Sequence, residues 1–459
     1  MTTAAAVPAV PLVATPAIAP PPPPHALRRV LGVGFGIAVA VGNMIGAGIL
    51  RAPADVAARL PSPWLFLGVW VVGGVYALLG ANAVAELGAM LPKSGGQYVF
   101  ARRAFGPATG FVVGWNDWAS TCAASAAVAI VFADAFVGLL GTAGRWTMPI
   151  ALAALAAPAL VSLRGIHEAA RAQRWTTALK AFVLGALVMA CLVARARGAV
   201  MPVQSTPRVG ITAAAFVLAL QGVVFAYDGW VGIAYFSEEV ENPGRAIPRA
   251  LVGGVLSVVA LYVAINAAFL AVLSLDALAR SALPAADVAR AIAGPWGTRL
   301  VQLVIVVALP SGLLSNVLFG SRVAYALARD GLAPARLTRV SPRGVPGSAV
   351  LVGLAVSVAC VLTGTFTQVI NVAAFLFVAS YVVTFAAVFV LRRREPTLAR
   401  PYRAWGHPWT TGLVLVACSA FLVGVVLADP RGGALALGIV ACAPPVFYAL
   451  RAIGLIRRD

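Results

Sequence analysis

Apolar residues fall along this chain in recurring runs of about twenty, almost free of charge, each long enough to cross a bilayer as a helix. Twelve spans are expected, near 30–50, 64–91, 108–139, 147–163, 176–197, 212–236, 249–274, 300–328, 348–364, 369–391, 409–428 and 433–455. The loops between them are mostly short, which makes neighbouring spans antiparallel. The longest loop, about 275–299, holds Pro284 and a short amphipathic stretch, Ala285–Ile292. No soluble domain is expected, and the fold class is all-α and integral to a membrane.

Composition agrees with that pattern: 61% of residues are apolar, 11% are charged, and mean hydropathy is +0.93. Soluble, disordered and disulfide-scaffold proteins are excluded. The net charge of +19 would suit a nucleic acid partner, but its placement argues for topology instead. With the N-terminus inside, 24 of the 34 Lys and Arg residues fall on the cytoplasmic side, Lys180 included, among them Arg392 to Arg394 and Arg322 to Arg343. That positive-inside bias sets both termini in the cytoplasm. The five cysteines sit in or at the ends of apolar spans, and His25, His167 and His407 are scattered. No disulfide framework, metal site or cofactor is expected. Residues 1–27, rich in Ala, Pro and Val, read as a disordered cytoplasmic tail, since proline interrupts the apolar stretch and Arg28–Arg29 follow it.

Glycine supplies the irregularity. The first span carries Gly42-Asn43-Met44-Ile45-Gly46-Ala47-Gly48, and the sixth carries Phe225-Ala226-Tyr227-Asp228-Gly229-Trp230. Glycine weakens a helix interior, and non-helical backbone survives at membrane depth only where protein or a water-filled cavity satisfies it. Breaks in spans one and six are what an inverted five-plus-five repeat shows, with a binding site where the broken helices meet. Close packing of small residues is the plainer explanation.

Glu86, Asp117, Asp134, Lys180 and Asp228 are charged residues inside apolar spans, each a functional candidate by default. Lys180 lies about 9 Å deeper than Arg174 at 1.5 Å per residue. It reads either as a buried cation standing where a sodium ion would hold the broken first helix, able also to carry a proton, or as a side chain snorkelling to the headgroups. Asp228, inside the second break, would receive an amino group, a cationic side chain or a proton, or would satisfy freed backbone N–H groups. Glu86 is expected to pair with a loop arginine, Asp134 to lie at the interface, and Asp117, beside Trp115 and Trp118, to belong to a cytoplasmic gate or an interfacial anchor. The run Ser237–Arg245 after the sixth span reads as a solvated helix end with acids available to the arginine-rich loops.

These residues together resemble the amino acid–polyamine–organocation (APC) transporter superfamily. Gly42–Leu50 resembles its Gly-Ser-Gly-Ile-Phe segment, with Ala47 for Ser and Leu50 for Phe. Phe225–Trp230 with Glu238-Glu239-Val240 and Asn242-Pro243 resembles its sixth helix and following loop. Ser321-Arg322 through Asp330-Gly331 resembles the end of its eighth helix, and Ala85-Glu86-Leu87 through Gly95-Gly96 its second helix and loop. The matches run from about 30 to 345, and the last spans agree in number only.

The resemblance implies a LeuT-type fold of twelve helices: a core over 28–391 with broken helices 1 and 6, then two additional helices over 392–459. It implies that Ile45, Gly46, Ala47 and Gly48 offer backbone amides to a substrate carboxylate. It further implies that Phe225, Ala226 and Asp228 present carbonyls to the α-amino group, with Phe225 as a lid, in a substrate-binding segment that also includes Tyr227, Gly229 and Trp230. Lys180 matches the lysine that replaces sodium in proton-coupled and exchanging members, closest to the L-type and serine/threonine exchanger branch. Asp228 leaves a cationic substrate open. The loop Gly141–Trp146 lacks the cysteine that tethers a heavy chain, so no such partner is expected. The expected function is sodium-independent amino acid transport across the cytoplasmic membrane, by proton symport or exchange. An arginine/agmatine-type or polyamine antiporter is the nearest alternative, and a channel or membrane enzyme the alternative from another class.

Overall fold

The computed structural model describes residues 27, 29–141, 144–198, 210, 212–281, 283–363, 366–428 and 430–454. The expected disordered tail, up to residue 26, lies outside them, as do residues 142–143 in the loop after the third span. The helices are α1 (Val33–Met44), α2 (Ala47–Arg59), α3 (Pro63–Met90), α4 (Gln97–Phe105), α5 (Pro107–Leu140), α6 (Thr147–Arg164), α7 (Ile166–Ala196) and α8 (Ala213–Tyr227). After a 3-10 segment, Trp230–Phe236, come α9 (Pro243–Val272), α10 (Leu275–Ala279), α11 (Pro284–Ala293) and α12 (Pro295–Arg329). The last four are α13 (Gly347–Thr363), α14 (Phe366–Arg394), α15 (Trp409–Ala428) and α16 (Pro430–Ala452). Among the described residues no strand forms, only an isolated bridge between Leu31 and Val240. Among the described residues nine helices are long and apolar enough to cross a bilayer, and α1 with α2, bent by 47° at their junction, would make a tenth.

Local signals set the helix ends. The Ser62 side chain accepts from the Leu65 amide at the start of α3, with Pro63 in the first turn. Helix α5 runs from Pro107 to Leu140 and is closed by Gly141, which takes a left-handed φ of 65°.

Three boundaries depart from the apolar pattern, for one reason. Helix α2 continues to Arg59 with Arg51 and Asp55 exposed, α7 begins ten residues early at Ile166, and α4 fills a stretch expected to be loop. Each carries polar residues on one side and buried ones on the other, such as Ile49, Val56 and Ala57 in α2. A hydropathy run ends where charges begin, whereas a helix continues wherever one face has something to pack against.

Helix α12 lies along α5, α3 lies along α9, and α1 packs against α7 and α9. The end of the bundle holding residue 30 is tied shut. The Val30 and Leu31 amides both donate to the Glu239 carbonyl at 2.9 Å. The Glu239 carboxylate is gripped by Arg322 through Nε at 2.9 Å and Nη2 at 3.1 Å, both side chains being fully buried. Arg329 reaches Glu238 at 2.7 Å, and Asp330 pairs with Arg102 at 2.6 Å. Glu239 is therefore part of the interior and Glu238 half-buried in an ion pair, while Glu241 alone of these acids is exposed as a solvated helix end would have it.

Glu86 pairs with an arginine, as the sequence suggests. It accepts from Arg392 at 2.9 and 2.6 Å and from the Ala404 amide at 2.7 Å, while being almost wholly buried. Breaking a buried pair from one side leaves an uncompensated charge and costs about 3–5 kcal/mol. Glu86→Ala is expected to lower the melting temperature of the detergent-purified protein well beyond the effect of an exposed control such as Glu168→Ala; equal melting temperatures would contradict it.

Candidate functional site

Helix α1 stops inside the bundle, and the Gly42 carbonyl in its last turn lacks the amide four residues ahead, since that of Gly46 goes to Met44. Side chains from α7 bond carbonyls along α1 and at its open end. Thr177 Oγ1 donates to the Ala38 carbonyl at 3.0 Å, and Gln173 Nε2 reaches the same oxygen at 3.4 Å. Lys180 Nζ donates to the Gly42 carbonyl at 2.7 Å and also to the Ile45 carbonyl. The ammonium is fully buried, at the negative end of the α1 dipole. It does not snorkel. Gly42 permits the approach, since a Cβ there would collide with Gln173 and Thr177.

The second interruption lies beside the first. Helix α8 ends at Tyr227, Asp228 is extended, and Gly229 takes a φ of 105° before the 3-10 segment begins. That left-handed conformation suits glycine, and a Cβ on Gly229 would strike the Asn43 side chain from the first break. A Cβ on Gly48 would come within 2.9 Å of the Ala226 Cα, so α2 and α8 touch backbone to backbone. The Tyr262 hydroxyl, from α9, lies 2.6 Å from the Met44 carbonyl and 3.1 Å from the Ala226 carbonyl, one proton serving either broken helix.

Between the breaks, α5 and the helices behind them is a cavity of about 260 Å³. Asn43, Met44, Gly46 and Gly48 line it from the first break, Phe225, Ala226 and Asp228 from the second, and Asn316 and Phe377 from α12 and α14. Its wall continues along α2 to Arg51 and Asp55, both exposed, so it opens toward the end opposite the sealed one. Phe225 is 40% exposed on this cavity. The Asp228 carboxylate accepts from the Tyr381 hydroxyl at 2.6 Å, and the Tyr381 ring stacks on Trp230.

The structure thus gathers Gly46, Gly48, Phe225, Ala226 and Asp228 around one space. Ala47 opens α2, and its amide, with those of Gly48 and Ile49, has no carbonyl one turn back in that helix. The Ile45 amide is taken by the Val41 carbonyl and the Gly46 amide by that of Met44. Tyr227 packs between Trp70 and Tyr262, and Gly229 and Trp230 stand behind the cavity rather than on it. Sequence reasoning missed Asn316, Tyr262 and Tyr381, single polar tips in apolar spans, where such residues are ordinary. It also missed Arg51 and Asp55, whose four-residue spacing was the available signal.

A family model described as an amino acid permease matches residues 36–448. The serine/threonine exchanger SteT of Bacillus subtilis is 27% identical over 433 residues, covering 93% of this chain and 98% of that protein. An uncharacterized transporter of Mycobacterium tuberculosis is 32% identical over 437 residues, covering 94% of this chain and 93% of its own length. The mouse b(0,+)-type amino acid transporter 1 is 26% identical over 439 residues, covering 92% and 88%.

The two glycines of the first break separate by packing. Gly46→Ala, whose nearest neighbour would lie 3.8 Å away, is expected to melt like the parent protein, whereas Gly48→Ala pushes against backbone and should cost about 1–3 kcal/mol. Indistinguishable melting temperatures would show that α2 and α8 are not in contact.

Proposed function

The chain belongs to the amino acid permease family, and on that premise we propose that it is a secondary active transporter moving amino acids across the cytoplasmic membrane. It works by alternating access, without sodium, through amino acid exchange or proton symport. The observation that carries the sodium-independent reading is the Lys180 ammonium, which already occupies the carbonyl-lined end of α1 where a bound cation would otherwise be required. That this chain is similar to a serine/threonine exchanger favours exchange.

In this reading the fold is of the LeuT type with twelve spans, α8 with the 3-10 segment and α13 completing the set. Its core covers 28–391, two further helices follow over 392–459, and both termini are cytoplasmic. The sealed end is then the cytoplasmic one and the cavity faces outward. The substrate carboxylate rests on the first-turn amides of α2, where the helix dipole favours an anion. The α-amino group meets the carbonyls and the carboxylate around Phe225 and Asp228, and Phe225 swings over the cavity as it closes. Substrate drives the cycle only through its differential affinity for the open and closed forms.

Uptake of a radiolabelled amino acid panel into proteoliposomes, with and without internal amino acid and a pH gradient, tests this. Saturable counterflow of at least one amino acid is expected; its absence across the panel, or bulk ion current instead, would reject the carrier. Lys180→Ala is expected to abolish coupled transport, because the α1 carbonyls lose their cation, and wild-type rates with unchanged pH dependence would refute the role. Asp228→Asn is expected to weaken uptake of cationic amino acids about tenfold or more, since a charged hydrogen bond contributes ~1.5–3 kcal/mol; equal losses for leucine and arginine would remove that idea.

A further inference from the structure

Eleven residues into α5, on the sealed side of the cavity, stands a carboxyl that the transport reading above leaves without a task. Asp117 is fully buried. The Tyr235 hydroxyl lies 3.0 Å from each of its oxygens, and Gln97 Nε2 donates to Oδ1 at 3.3 Å. Thr384 Oγ1 holds that glutamine in place by donating to its Oε1 at 3.0 Å. Helices α4, α5 and α14 and the 3-10 segment therefore converge on one acid at the closed end.

Every one of those partners is neutral. The cations on the surrounding elements turn elsewhere: Arg322 to Glu239, Arg329 to Glu238, Arg102 to Asp330, Arg103 to Glu395, Arg392 to Glu86 and Arg394 to the Ala104 carbonyl, while Arg393 at the end of α14 is exposed. From α6, α13 and α16 no charged side chain reaches Asp117, and among the described residues no cation lies within ion-pair distance of it. Its remaining charged neighbour is the Asp228 carboxyl, farther off and of the same sign. An ionised carboxylate at this depth, facing only neutral donors and another acid, is costly. A neutral carboxylic acid is not, because its own O–H can donate to the Tyr235 oxygen.

We propose that Asp117 is a proton-binding site tied to the state of the cytoplasmic face, neutral while that face is sealed and ionised once it opens. Opening pulls the 3-10 segment and α4 away from α5, water enters, and the proton leaves to the cytoplasm; resealing requires one to be bound again. The route from the cavity is marked by a second acid–tyrosine pair. Asp228 accepts from the Tyr381 hydroxyl, and Tyr381 stands three residues before Thr384 on α14, the residue that bonds Gln97. Asp228 first takes a proton from the outward-facing cavity; passing it to an ionised Asp117 leaves Asp228 ionised again and Asp117 neutral, with no other bond changed. The proposal rests on the carrier reading and selects proton coupling within it.

Two measurements on full-length protein in proteoliposomes test the site. With the amino acid giving the strongest counterflow, Asp117→Asn should retain counterflow within about twofold while losing uptake driven by an inward pH gradient, and Asp117→Glu should retain both. Infrared difference spectra without substrate should show a protonated-carboxyl C=O band in the wild type that vanishes in Asp117→Asn. An Asp117→Asn protein with wild-type pH dependence, or a wild type lacking that band, overturns the proposal. Should Asp117→Asn not fold, Tyr235→Phe must shift the pH midpoint of uptake, and a wild-type midpoint overturns it equally. If no amino acid gives counterflow in the wild type, the carrier reading fails instead, and the infrared result still decides whether Asp117 binds a proton.

Discussion

A helix that ends in the middle of a bilayer leaves carbonyl oxygens that neither lipid nor the next turn can satisfy. In this protein the Lys180 ammonium meets that demand, bonding the Gly42 and Ile45 carbonyls while buried at the negative end of α1. Thr177 and Gln173 add bonds to the Ala38 carbonyl, farther back within the helical ladder, so three residues one turn apart on α7 hold the broken helix along one edge. The break that forms the cavity can persist because its open backbone is occupied from behind by a side chain rather than by a dissociable ion.

The remaining constraints follow from placing two breaks together. Tyr262 ties Met44 to Ala226, Gly48 lets α2 meet α8, and Gly229 turns the chain beside Asn43. Each contact joins a segment of the first span to one of the sixth, so displacement of either moves the cavity wall.

The two ends of the bundle differ in kind. One is closed by ion pairs, the fully buried Glu239 and Arg322 at the centre and, to the side, a buried Glu86 held by the half-buried Arg392. The other is an opening walled by α2, with exposed Arg51 and Asp55. Buried pairs of this kind add little net stability over apolar packing, yet separating them is costly, which suits a face that must be wholly shut or wholly open. In the proposed cycle, substrate binding supplies the free energy for that separation through its preference for the closed form.

The apolar runs alone determined that the chain is a helical membrane protein, because a hydrocarbon solvent allows few ways to satisfy the backbone. Glycine clusters located both breaks, and the cost of charge in an apolar span singled out Lys180 and Asp228, with Asp117 no more prominent than Glu86 and Asp134. Boundaries at α2, α4 and α7 were illegible, since amphipathic extensions follow the shape of the cavity and the neighbouring helices. Only the tertiary structure could say which carbonyls Lys180 holds, that Glu239 is sealed against Arg322 eighty-three positions away, and that Tyr262, Tyr381 and Asn316 belong to the site. Those are distances between spans remote in the chain, and a single hydroxyl or amide in an apolar run looks the same whether it faces a cavity, a carbonyl or a lipid.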